Sequence, residues 1–195
     1  MENDSQNGLL VLDSRPMKKL IHLFLATALI CTSSSQAAEE KIWHVKAVHP
    51  DGKLIDVKAI DKAGKIYAVK AIETVGNEHL LDIKAIDGDK HLSVKVLVST
   101  DKYMPVKAIG TGGTVLDIKA ITTEGEKLDV KGVSQTGSII NIKAITAKGE
   151  FYGIKAVSPE GKLYDIKGIH LSADKVEAKV EGIEVAAHVK ALPPP

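Results

Sequence analysis

Lysine recurs at Lys46, Lys58, Lys70, Lys84, Lys95, Lys107, Lys119, Lys131, Lys143, Lys155, Lys167, Lys179 and Lys190, in steps of 12 except for one of 14, one of 11 and a final 11. A row of ammonium groups can pair with carboxylates, line a cleft for sulfated or uronic polysaccharide, or hold a small anion in a lumen. The residue two before the lysine is acidic at Asp56, Asp82, Asp117, Asp129, Asp165 and Glu177. Cross-strand ion pairing is therefore the first expectation. The acid is missing beside Lys70 (Ala68), Lys95 (Ser93), Lys107 (Pro105) and Lys155 (Gly153). Unpaired ammonium groups are expected at those four lysines, three of them between residues 70 and 107. With Tyr103 on the same strand face, they make the expected binding patch, and an anionic glycan or another envelope protein the expected partner.

His44 and His188 hold the same place, two before the lysine, in the first and last copies. If those copies are neighbours, the two imidazoles could start a metal site, which needs three or four ligands at about 2.0–2.1 Å from a zinc. Enzymatic motifs are missing: there is no serine elbow, glycine-rich phosphate loop, cysteine pair or His-Glu-x-x-His helix. The acids stand in near-identical repeats, without the unlike surroundings that separate a catalytic acid from its base. A non-enzymatic structural or interaction role is the leading expectation, with no cofactor. Carbohydrate or polyanion binding is the alternative, and a hydrolase or metal-dependent enzyme stands third. The net charge of +1 gives no reason to expect a nucleic acid.

The elements that must position these residues follow from alternation. The residue before the lysine is Val or Ile in 12 copies, the one after is Ala in nine, and the third before is always apolar. Positions two apart share one face of a strand, so each copy is a strand with one apolar face. A period of 12 suits one strand and one turn. The opposite face carries the charges between apolar rims such as Leu54 with Ile60. Asp61-Lys62-Ala63-Gly64-Lys65 and its relatives look like type I turns closed by a left-handed glycine.

That turn sets a register. Pairing Thr122 with Glu126 places Lys119 opposite Asp129 and Asp117 opposite Lys131, and the next hairpins place Lys131 opposite Asn141, Asp129 opposite Lys143 and Lys155 opposite Asp165. Successive strands then form a charge ladder, whereas a parallel solenoid would stack like charges. The expected fold is all-β: an antiparallel meander of about 12–13 short strands, curled into a barrel or folded into two layers. A parallel β-solenoid or a β-trefoil-like fold is the alternative. Ile72 to Leu80 should be the longest loop, and Pro105 should mark an edge or bulge.

Outside the repeats, 1–16 reads as a leader that is non-native or unstructured. Residues 17–37 read as a secretory signal peptide: Met17-Lys18-Lys19, an apolar run from Leu20 to Cys31, then small residues ending at Ala37. A single β-repeat domain is expected over 41–192, and a proline tail over 193–195. The expected location is periplasmic or secreted, at a bacterial envelope. Lipid anchoring through Cys31 is not expected, because Leu29-Ile30 suit that cut poorly. A mature chain beginning after Ala37 would hold no cysteine and no transmembrane segment. The oligomeric state is left open.

Overall fold

Each repeat forms a strand whose alternate residues are buried, as at Ile55, Val57 and Ala59. The computed structural model describes residues 41–74, 77–170 and 179–194. The expected leader, export segment, Cys31 and Glu177 lie outside the described residues. The strands are β1 (Ile42–Val48), β2 (Leu54–Ile60), β3 (Ile66–Thr74), β4 (Asn77–Asp87), β5 (Lys90–Leu97), β6 (Met104–Ile109), β7 (Val115–Ile121), β8 (Lys127–Thr136), β9 (Ile139–Ile145), β10 (Phe151–Val157), β11 (Leu163–His170), β12 (Lys179–Val180) and β13 (Ile183–Leu192). From β1 to β11 every strand pairs antiparallel with its successor, so the fold is the expected all-β meander. All pairings among the described strands are antiparallel, which excludes the solenoid. The sheet does not close as a barrel.

It loses its edges in another way. Each long strand lies along one partner over the middle of its length: β1 on β10, β2 on β7, β3 on β4, β5 on β6, β8 on β9, and β11 on β13. On its other side it divides, pairing with one strand before the lysine and another after it. In β2, Leu54–Asp56 pair with β1, while Lys58–Ile60 pair with β3. β1 and β3 also pair, through Ile42–His44. Three strands thus close a ring, and the same ring recurs as β4–β5–β13, β6–β7–β8 and β9–β10–β11. Four triads joined by six strand pairs have the connectivity of a tetrahedron, not the three lobes of a trefoil. The two-residue β12 pairs only with the start of β13, so Lys179 stands outside the set of 12 repeat lysines.

The repeat residues follow from this network. In each strand pair, lysine faces lysine and the preceding β-branched residue faces the following alanine, as Val57 faces Ala120. In each triad that alanine faces the large residue three before the next lysine, as Ala59 faces Tyr67. The position is crowded from both sides, so a methyl group fits, and Ala47, Ala59 and Ala120 are fully buried. Tyr152 and Trp43 are buried, and Tyr67 and Tyr164 pack on the same core. Trp43 meets Tyr164 with ring centroids 4.6 Å apart.

Where the pattern breaks, volumes compensate. Val96 replaces alanine, and its triad neighbour is Ala187 instead of a large residue. Gly132 and Gly168 replace alanine beside it. A Cβ on Gly168 would lie 3.0 Å from Val96 Cγ2 and 3.1 Å from Ile140 Cβ, and one on Gly132 would lie 2.9 Å from Ile140 Cγ2.

Part of the expected register needs correction. Lys119–Asp129 and Lys155–Asp165 face each other as expected. Asp117, however, faces Lys107, Lys131 faces Lys143 and Pro105, and Asp129 faces Ile145. The β7–β8 hairpin parts after three residue pairs to admit β6. β8 and β9 stay paired, but they close through Gly137-Ser138 with a register shift between Gly132 and Ser134, which moves Lys131 two places from its expected partner. Ile72 to Leu80 is not a long loop: β3 runs to Thr74 and β4 starts at Asn77. Pro105 lies in a strand of a triad, where the β6–β8 ladder has two register pairs.

Candidate functional site at the lysine triads

The 12 repeat lysines project from the outer face, three to a triad, and each reaches the residue two before the lysine of the next strand around the ring. In β1–β2–β3, Lys46 pairs with Asp56, Lys58 faces Ala68, and Lys70 Nζ lies 3.1 Å from His44 Nδ1. In β6–β7–β8, Lys107 pairs with Asp117 and Lys119 with Asp129, while Lys131 faces Pro105. In β9–β10–β11, Lys155 pairs with Asp165, Lys167 donates to Asn141 Oδ1 at 2.8 Å, and Lys143 faces Gly153.

Several carboxylates serve two lysines. Asp56 also lies 3.2 Å from Lys58, and Asp165 lies 3.7 Å from Lys167. The lysines of the rings therefore outnumber the carboxylates within them. Across the four triads, 12 lysines meet five aspartates (Asp56, Asp82, Asp117, Asp129 and Asp165), a surplus that the chain's near-zero net charge conceals. Asp51, Asp61, Glu124 and Glu160 sit in turns instead.

The β4–β5–β13 triad forms a pocket. Lys84 donates to Ser93 Oγ at 2.8 Å, Lys95 contacts His188 Nδ1, and Lys190 pairs with Asp82. Asp82 also lies 3.7 Å from Lys84. These six side chains line a pocket of about 250 Å³ with Ile83, Val94 and Val189 as its floor. Lys95 is only 6% exposed. Burial lowers Lys84 and Lys190 below the usual lysine range. Burial first, and then the charges of Lys95 and Lys84, push His188 down to about 4. His188 is thus a neutral acceptor for the Lys95 ammonium. An anionic group entering here would meet cations already stripped of much of their water, where a charge interaction is strongest.

The residues expected from sequence are distributed over the network. Lys70 and His44 fall in one triad, Lys95 and His188 in a second, Lys107 in a third and Lys155 in the fourth, while Tyr103 precedes β6. Lys107 and Lys155 take their carboxylates from the next strand. His44 and His188 are not brought together, since β1 and β13 share no pairing. Among the described residues no group of three His, Cys, Asp or Glu could hold a metal ion. No helix among them is long and apolar enough to cross a membrane. Lys84, Lys190, Asp82 and Ser93 were not singled out by sequence. Their signal is the meeting of the fourth, fifth and last copies, which no local spacing reports.

These features define a class: an all-β repeat domain whose strands close around one core and whose lysines gather at three-strand rings. The chain belongs to the Family of unknown function (DUF7486), whose model matches residues 39–192. No curated protein and no solved structure matches it.

Proposed function

We propose that this is an exported, non-enzymatic binding module for anionic ligands, with sulfated or uronic glycans as the ligand class and the β4–β5–β13 triad as the principal contact. The observation that carries this reading is the gathering of Lys84, Lys95 and Lys190 in one pocket around a single aspartate, Asp82, which pairs with Lys190 and lies 3.7 Å from Lys84. Export is inferred from the basic start, apolar run and small-residue end of 17–37. An envelope or extracellular setting would supply acidic polysaccharide.

The test is a titration of the purified chain with dextran sulfate and polygalacturonate oligomers at low and high salt. Binding should weaken steeply with salt, because each lysine–anion contact releases counterions. The double variant Lys84→Gln, Lys190→Gln should lose about tenfold or more in affinity, roughly 1.4 kcal/mol. Silence toward both polymers at low salt, or a variant that binds like the parent, would sink the reading.

A further inference from the structure

A second concave site lies apart from the lysine pocket and is built differently. A groove of about 380 Å³ runs between the first half of β8 and the turn after β9, lined by Tyr103, Lys127, Asp129, Lys131, Ile145 and Thr146 among others. Its volume is that of a small-ligand pocket. We propose that this groove binds one pyranose unit of a glycan, with Tyr103 as the stacking wall and Asp129 and Lys131 as the polar groups that take the ring hydroxyls.

Tyr103 differs from the other three tyrosines. Tyr67, Tyr152 and Tyr164 pack on the core, whereas Tyr103 is half-buried and lines the groove. Its ring is held from outside the groove lining: Phe151 meets it edge to face, with centroids 6.0 Å apart and planes at 88°. Lys102 Nζ lies 5.0 Å from the ring centroid. A ring that attracts an ammonium through its negative face also attracts the polarised C–H face of a sugar. Lys102 is exposed and on a flexible stem, so it can turn aside and meet a hydroxyl.

The polar side is equally prepared. Asp129 pairs with Lys119 and lies 3.8 Å from Lys131. Burial alone would raise its carboxyl, but the Lys119 hydrogen bond and the surrounding lysine charges outweigh that and hold it low. It therefore presents a charged acceptor next to a donor, the pair that neighbouring sugar hydroxyls require. Thr146 Oγ1 accepts from Glu150 N–H at 3.1 Å, which holds its hydroxyl in place at the groove wall. Ile145 supplies apolar floor.

This inference uses none of the residues of the lysine pocket, so the two readings fail separately. The experiment is a titration of the ¹⁵N-labelled chain with neutral cellotetraose, chitotetraose, maltotetraose and mannotetraose at moderate salt. At least one probe should give saturable shifts centred on Tyr103, Lys131 and Thr146, nearly independent of salt. The double variant Lys84→Gln, Lys190→Gln should retain that binding. Tyr103→Ala should weaken it about tenfold or more, and Tyr103→Trp should keep it, since stacking needs a flat ring. Absence of saturable shifts from all four probes would overturn the proposal. So would shifts elsewhere on the chain, or a Tyr103→Ala variant that binds as tightly as the parent.

Discussion

Lys46 and Lys155 stand directly opposite each other on β1 and β10, yet their ammonium groups pair with different carboxylates, Asp56 and Asp165. The two side chains leave the shared strand pair in opposite directions, each toward the centre of its own triad. Lysine faces lysine in all six strand pairs, and on β2–β7 and β11–β13 both again reach different carboxylates. Like charges meet in register but diverge to counter-charges, so each aspartate both attracts its lysines and relieves the opposition behind them.

Asp56 should therefore matter more than either lysine it serves. Asp56→Asn leaves three lysines in one ring without a carboxylate and should cost about 1 kcal/mol. Lys46→Gln removes one cation from each opposition and should cost roughly 0–0.5 kcal/mol. Urea unfolding at low and high salt measures both. The gap should shrink as salt screens the exposed side chains, and equal losses for the two variants would contradict the reading.

Gly153 occupies an aspartate position, and Lys143 faces it. A Cβ there would meet only the Lys143 Nζ, at 3.8 Å. Burial, and then Lys167 and Lys155, lower Lys143 against the partial help of Asp165. Gly153→Asp should complete the ring and remove a flexible residue from a strand, gaining about 0.5–1 kcal/mol. The Lys143 amine, followed by NMR, should titrate higher in the variant. A destabilised protein with an unchanged Lys143 would rule this out.

Strand content, apolar face and turn type could be read locally, because each is set within one repeat. Ile55, Val57 and Ala59 alternate whatever lies beside them, and the turn His49–Lys53 closes with Gly52 at φ 88° as its spacing requires. The Lys119–Asp129 rung was legible for the same reason. Lys131 facing Lys143 was not. The β8–β9 hairpin closes through Gly137-Ser138 with a register shift between Gly132 and Ser134, unlike the turn at His49–Lys53. Beyond the hairpins, identical repeats carry almost no information about which copies meet. The candidate pocket joins copies at Lys84, Lys95 and Lys190, and its composition is a property of that distant choice.

The exceptions to the repeat hold some of the missing information. Val96, Gly132 and Gly168 look like unrelated lapses in an alanine column, but they touch one another's space through Ile140. Gly132→Ala should cost about 1–3 kcal/mol through overpacking, and Val96→Ala should cost about 1–2 kcal/mol through a cavity. The double variant should fall short of the sum by about 0.5 kcal/mol or more, because the new methyl can use the space that Val96 vacates. The relief is partial, since Ile140 Cγ2 is the nearer obstacle. Thermal or urea unfolding of the three variants measures the coupling, and strict additivity would show that the compensation is accidental.

His188 gives the fold a pH dependence whose sign is fixed by its surroundings. It faces Lys95, lies near Lys84, and shares its ring with Lys190, Asp82 and Ser93. Its folded value of about 4 lies below the ordinary 6.5. Between those values the unfolded chain takes up a proton that the folded chain refuses, so stability falls as pH drops from about 6.5 to about 4 and levels off below that. His44, lowered first by Lys70 and then by burial, adds to the same trend. Asp56, Asp129 and Asp165 are held below 3.8 and act only at lower pH. His188→Gln keeps an acceptor for Lys95 but cannot titrate. Between about pH 7 and pH 4.5 the parent should lose roughly 1–2 kcal/mol more than this variant, allowing for partial solvent exposure. Urea unfolding across that range decides it: parallel curves for the two proteins would mean that the half-buried imidazole is not what limits stability in mild acid.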